Sequence, residues 1–211
     1  MRRHVEAARD QGLGLGFFYA NTCYWQIRLE PSAKTGEPDR TMVSYKETAL
    51  AEDPYALDGD SSNDHLITTT WRGAPVNRPE HRLLGIMYET VPVDGDILIT
   101  QPAHPVFEGV TLPADRRLAG LLGYEVDRAF ADGPRGLTIL AHSPIQHDGG
   151  TRYGDMTLYE APGGAWVFAA GTMQWSWGLD DFNAPGLRTS RLSEAAQQIT
   201  RNILAILSGH H

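Results

Sequence analysis

The sequence predicts one α/β domain, residues 1–209, carrying a substantial β-rich insertion, and three observations lead there. Met1, Val5 and Ala8 fall on one helical face, and Gln11-Gly12 closes that segment before Leu13, Leu15 and Phe17 to Tyr19 read as a strand. Asp96 to Thr100, Leu118 to Val126 and Leu137 to His142 have the short apolar content of buried strands. The chain closes on a clear amphipathic helix, where Leu192, Ala195, Ala196, Ile199, Ile203, Ile206 and Leu207 form one stripe. A chain of 211 residues that is 41% hydrophobic suits a single core of ordinary size.

Taken in order, the opening helix begins at the initiator methionine. Such a helix normally follows a strand that it covers, so the first elements of the repeating α/β unit are expected to be missing. Tyr24 to Leu29 alternates as a short strand. Pro31 to Arg40 forms a polar loop, and Thr41 to Lys46 a second strand. Glu47 to Asp64 is acidic and turn-rich and reads as a long surface loop. Thr68 to Trp71 suggests a strand and Glu80 to Met87 a short helical or packed segment. Thr157 to Glu160 and Ala165 to Ala170 flank Ala161-Pro162-Gly163-Gly164 as a β-hairpin. Ser190 or Ser193 is the N-cap candidate of the last helix and Gly209 its stop. His210 and His211 after Ser208-Gly209 read as a tag remnant.

Composition narrows the function classes. The net charge of -8 is spread without a Lys/Arg block, which argues against nucleic acid or an anionic membrane and favours small molecules or proteins as partners. One cysteine makes no internal disulfide, and no run approaches the ~20 apolar residues of a membrane span. Glu6 and Asp10 stand where a secretory leader would be apolar, so the expected location is cytoplasmic.

The candidate chemistry gathers at the turn Gly16 to Trp25, where an apolar strand breaks into polar and aromatic residues. Cys23 is a possible nucleophile with His104 or His142 as base. Its neighbours Thr22 and Tyr24 are too large for a nucleophile elbow, and a packed small hydrophobe is the competing reading. Tyr24 and Glu125 are hard oxygen donors suited to ferric iron, and Glu125 sits in the apolar run Leu121 to Val126, where an acid needs a cation or an arginine such as Arg78 or Arg128. Trp175 and Trp177 either line a pocket or cap the core against the last helix. His142-Ser143 offers a base and a hydroxyl without a visible third orienting group. No H-x-x-x-H, H-E-x-x-H or C-x-x-C pattern offers zinc, and no G-x-G-x-x-G opens a helix for a dinucleotide.

Arg2 to Arg9, Ala20 to Trp25, Asn77-Arg78-Pro79-Glu80, Gly123 to Asp127, Asp155-Met156-Thr157 and Gly171 to Leu179 together resemble the carboxyl-terminal domain of the N,N-dimethylformamidase large-subunit family, over nearly the whole chain. The resemblance implies a class I glutamine amidotransferase-like, flavodoxin-like open sheet without the amidotransferase cysteine elbow. It also implies a hydrolase of small amides that uses a mononuclear ferric iron held by two tyrosines and a glutamate. Tyr24 matches one tyrosine and Glu125 the carboxylate, while the second tyrosine is expected in a His-x-x-Tyr-Trp-type segment upstream of Met1. Tyr24, Glu125 and His142 are thus the expected catalytic residues, and Asn21, Trp25, Trp175 and Trp177 the expected substrate contacts. The resemblance further implies an oligomer, a small partner subunit, and an isolated chain that is inactive. A non-catalytic amidotransferase-like binding or assembly module, with Trp175 and Trp177 at a subunit contact, is the alternative.

Overall fold

A computed structural model describes residues 1–209, apart from the side chains of Val91, Pro92 and Pro185. The two histidines read as a tag remnant lie outside the described residues. The strands are β1 (Leu15–Phe17), β2 (Arg28–Glu30), β3 (Thr41–Val43), β4 (Ile86–Leu98), β5 (Arg117–Ala129), β6 (Thr138–His147), β7 (Gly150–Glu160) and β8 (Trp166–Ala169). They divide between two compact units, one of residues 1–22 and 81–211 and one of residues 23–80.

The larger unit is built on a four-stranded sheet of order β1-β8-β7-β6 and a long β4-β5 ribbon. Among the described residues of this unit only β1 and β8 run parallel, with Leu15 opposite Val167, whereas β8-β7, β7-β6 and β4-β5 are antiparallel. This corrects the expected flavodoxin-like open sheet: the protein is β-rich, with several sheets and few helices. The physical reason lies in the connections. A doubly wound sheet needs a helical crossover between successive parallel strands, but here β4-β5, β6-β7 and β7-β8 are antiparallel pairs joined without an α-helix between them. The one parallel pair joins strands from opposite ends of the sequence. The runs read as short buried strands are segments of β4, β5 and β6, and the last two of these are 13 and 10 residues long.

Several bonds tie the ribbon to the sheet, among them three through the main chain. Leu98 N–H donates to Ser143 Oγ (2.9 Å), Thr100 N–H to the Leu140 carbonyl (3.0 Å), and Asp127 N–H to the Gly171 carbonyl (3.0 Å). Between them lies the core, with Ile97, Leu121, Leu140, Met156, Phe168 and Trp175 buried against Ile199 and Ile203 of the closing helix Glu194–Leu207. That helix follows the expected stripe, and Ser193 caps it by accepting from Ala196 N–H. The opening helix, Arg2–Asp10, and the hairpin β7-β8 also follow their sequence signals.

In the smaller unit, β2 and β3 form an antiparallel ribbon with Leu29 opposite Met42. The stretch read as a loop from Glu47 to Asp64 is instead largely one-turn helical segments at Lys46–Thr48, Ala49–Glu52 and Pro54–Leu57, with another at Asp64–Leu66. Asp53 organises it. Its fully buried carboxylate accepts from Arg28 (3.1 Å), Thr68 N–H (2.9 Å), the Thr68 hydroxyl (2.7 Å) and Tyr55 N–H (3.2 Å). Burial alone would raise its pKa, but the bonds from Arg28 and Thr68 outweigh that and hold it below the usual carboxylate range. No helix among the described residues is long and apolar enough to cross a membrane.

Candidate functional site

The carboxyl-terminal half of β5 positions most of the candidate groups in the larger unit. Its pairing with β4 breaks register between Thr90 opposite Val126 and Val93 opposite Tyr124, and Tyr124 takes a left-handed φ of 55°. A bulge of this kind re-aims the following side chains. Tyr124 becomes exposed, and Glu125 accepts a hydrogen bond from Asn21 Nδ2 at 3.0 Å. Asn21, just past β1 and also left-handed at φ 54°, donates its backbone N–H to Asp127 Oδ1 at 2.8 Å. Asparagine tolerates that backbone region better than most residues, and its side chain and main chain thus hold two acids of β5 at once. Two residues expected at the site, Asn21 and Glu125, are brought together across 104 positions of sequence. Arg128, one of the two arginines the competing reading offered to Glu125, donates instead to Glu89 at 2.8 Å.

The end of β8 braces this region from beneath. Gly171 has a left-handed φ of 69°, and a Cβ there would collide with the Asp155 carbonyl. Thr172 is fully buried, and its hydroxyl donates to the Leu121 carbonyl (2.9 Å) while accepting from Gly123 N–H (2.9 Å) and Gln174 N–H (3.1 Å).

His142 lies farther along. Paired across β6-β7 with Asp155, it places Nδ1 2.6 Å from Asp155 Oδ1, and its ring stacks on Tyr153 with centroids 4.2 Å apart and planes 10° from parallel. Asp155 Oδ2 accepts from Ala129 N–H at 2.8 Å. Ala129 is four residues beyond Glu125, about 13 Å of extended strand. Glu125 on β5 and His142 on β6, reached from β5 through Asp155 and Ala129, therefore form two separate stations and share no hydrogen bond. Ser143, the hydroxyl next to His142, is buried and serves Leu98 as an acceptor.

In the smaller unit, Tyr24 meets Trp25 edge to face at 5.0 Å, and the Arg72 guanidinium lies 5.2 Å from the Tyr24 ring centre. Arg72 is fixed by a two-pronged bond to Glu80, a carboxylate only 1% exposed, at 2.8 to 3.1 Å. Trp25 pairs with Thr70, and Lys46 Nζ lies 5.9 Å from its ring. Cys23 has a left-handed φ of 60° and is partly buried.

The other expected residues take structural places. Trp175 is fully buried and donates its indole N–H to Thr200 at 3.1 Å, so it lines the core, as the competing reading had it. Trp177 packs against that core under Arg188 and Arg191, at 4.6 and 5.2 Å. His104 caps a 3₁₀ turn through Val106 N–H, and burial pushes its pKa down. Sequence reasoning gives Asp155, Gly171 and Thr172 no role. The one signal available is polarity inside buried segments, since Asp155 and Thr157 interrupt an otherwise apolar stretch of β7.

Among the described residues no group of three or more His, Cys, Asp and Glu is placed to hold a metal ion. The oxygen donors singled out by sequence are the phenol of Tyr24, in the smaller unit, and the carboxylate of Glu125, in the larger.

Comparison with known families places this chain in a group related to amide hydrolases. Residues 1–189 match the family described as N,N-dimethylformamidase beta subunit-like, C-terminal, and the chain belongs to that family. No curated protein matches it.

Proposed function

We propose that this chain is the carboxyl-terminal, catalytic portion of an amide hydrolase that cleaves small linear amides such as N,N-dimethylformamide into an acid and an amine. The observation that supports it most is the family match over residues 1–189, within which the fold joins Asn21 to Glu125 at 3.0 Å. In this reading Asn21 orients the Glu125 carboxylate, and His142 takes up the proton lost by the attacking water. Given the length of strand between Glu125 and His142, the proton travels through intervening water rather than by direct contact.

Tyr24 and Glu125 are by donor type a fit for ferric iron, which favours phenolate and carboxylate oxygen over soft ligands. A ferric ion held in the assembled protein would supply Lewis acidity to the amide carbonyl. The family's description as beta subunit-like supports a multi-subunit assembly, in which this chain works beside a partner subunit.

Metal analysis and absorption spectroscopy of the full-length protein test the iron assignment. We expect one iron per chain and a visible phenolate-to-iron band that disappears in Tyr24→Phe. Full iron and full colour in that variant would remove Tyr24 from the ligand set.

A further inference from the structure

We infer that Asp155 is the positioning residue of His142, holding its imidazole as the Nδ1–H tautomer so that Nε2 faces outward as a proton acceptor. The inference rests on the amide-hydrolase reading for its chemistry but on geometry alone for the tautomer. An ionised carboxylate has no proton to give, so the 2.6 Å contact between Asp155 Oδ1 and a neutral imidazole requires the hydrogen on Nδ1. The second oxygen, Oδ2, is occupied by Ala129 N–H at 2.8 Å, and the Asp155 side chain is only 4% exposed. The carboxylate is thereby locked at both ends. Its own backbone is held by the close approach of Gly171 to the Asp155 carbonyl.

The imidazole is restrained twice, by that bond and by the parallel stack on Tyr153. Its side chain is nonetheless 45% exposed, and among the described residues Nε2 has no hydrogen-bond partner. A buried acid could have satisfied Ala129 N–H without any histidine. What the arrangement adds is a ring of fixed orientation with one lone pair presented to solvent.

In hydrolysis the attacking water forms a bond from its oxygen to the amide carbon and passes its proton, through intervening water, to Nε2. The imidazolium so formed is stabilised by Asp155. As the C–N bond breaks, its electron pair stays on nitrogen, which takes the proton back, leaving an acid, an amine and the neutral Nδ1–H ring.

The test is the ¹⁵N spectrum of the His142 ring in the full-length protein assembled with any partner subunit, with Asp155→Asn beside the wild type. Ala129 N–H needs an acceptor, so the side-chain amide introduced by the substitution must turn its oxygen to Ala129 and its NH₂ to His142, which drives the neutral ring to the Nε2–H tautomer. We expect Nδ1–H in the wild type and Nε2–H in the variant, and for N,N-dimethylformamide a fall in kcat of about 100-fold with little change in KM. A wild-type ring that is mainly Nε2–H when neutral overturns the inference without any variant being needed. So does an unchanged tautomer or an unchanged kcat in a folded Asp155→Asn protein. A wild type that shows the expected tautomer but turns over no amide would uphold the positioning and refute the amide-hydrolase reading instead.

Discussion

Replacing Thr172 by valine removes one hydroxyl and keeps the shape, yet that oxygen uses its full capacity of one donor and two acceptor sites. It donates to the Leu121 carbonyl and accepts from Gly123 N–H and Gln174 N–H, all in a fully buried position. With valine, two buried N–H groups and one carbonyl lose this partner, each at a cost of about 1–3 kcal/mol when left unsatisfied. Leu121 and Gly123 can recover part of that by small shifts, so the expected destabilisation is about 3–5 kcal/mol. For a domain of this size that corresponds to roughly a 10 °C fall in Tm, taking about 2–4 °C per kcal/mol. Urea unfolding of Thr172→Val against wild type and Thr172→Ser measures it, with the serine variant retaining the three bonds and losing only a methyl group. A valine variant within about 1 kcal/mol of wild type, at unchanged m, would show that the brace under Gly123 contributes little and would refute the reasoning.

Gly171→Ala forces a Cβ against the Asp155 carbonyl at a left-handed φ, which by itself costs an L residue about 1–2 kcal/mol. It should lower stability and displace Asp155, read as a changed His142 ring spectrum. Asp53 has a depressed folded pKa, so its contribution is present above the pKa of the unfolded carboxylate and is lost as pH falls through the lower folded value. Asp53→Asn should therefore be destabilised near neutrality and show a flatter acid limb below about pH 4; parallel acid limbs would contradict this. Cys23→Ser should leave amide turnover unchanged, because the residue lies in a left-handed turn beside Tyr24 and not in a nucleophile elbow. A fall in kcat of about 100-fold or more would restore thiol catalysis as the mechanism.

Sequence makes the local elements legible where one physical signal dominates. The apolar stripe with Ser193 before it specifies the last helix, and Pro162-Gly163-Gly164 specifies the turn between β7 and β8. Topology is not legible, because buried strands of parallel and antiparallel sheets have the same apolar content and only the connections distinguish them. The helix-then-strand opening is real, but its strand pairs in parallel with β8, about 150 residues away, and the chain between supplies antiparallel ribbons. The bulge at Tyr124 is equally hidden, since an α-left residue within a strand has no periodic signature. That bulge is what lets Glu125 meet Asn21. Trp175 shows the limit from the other side: an indole near a strand end suits a pocket or a core, and the 3₁₀ turn Met173–Gly178 is what turns it inward to Thr200. Asp155 is invisible as a partner for His142 because cross-strand pairing, not sequence spacing, makes them neighbours.

The central claim is that this chain carries the amide-hydrolysing portion of its protein, with Glu125 at the reacting end. It is tested most directly by amine release from N,N-dimethylformamide, comparing the full-length protein assembled with any partner subunit and its Glu125→Gln variant. We expect turnover by the wild type and a fall of at least about 100-fold in kcat for a folded variant. Turnover by Glu125→Gln at the wild-type rate, or none by the assembled wild type on this or other small amides, would contradict it.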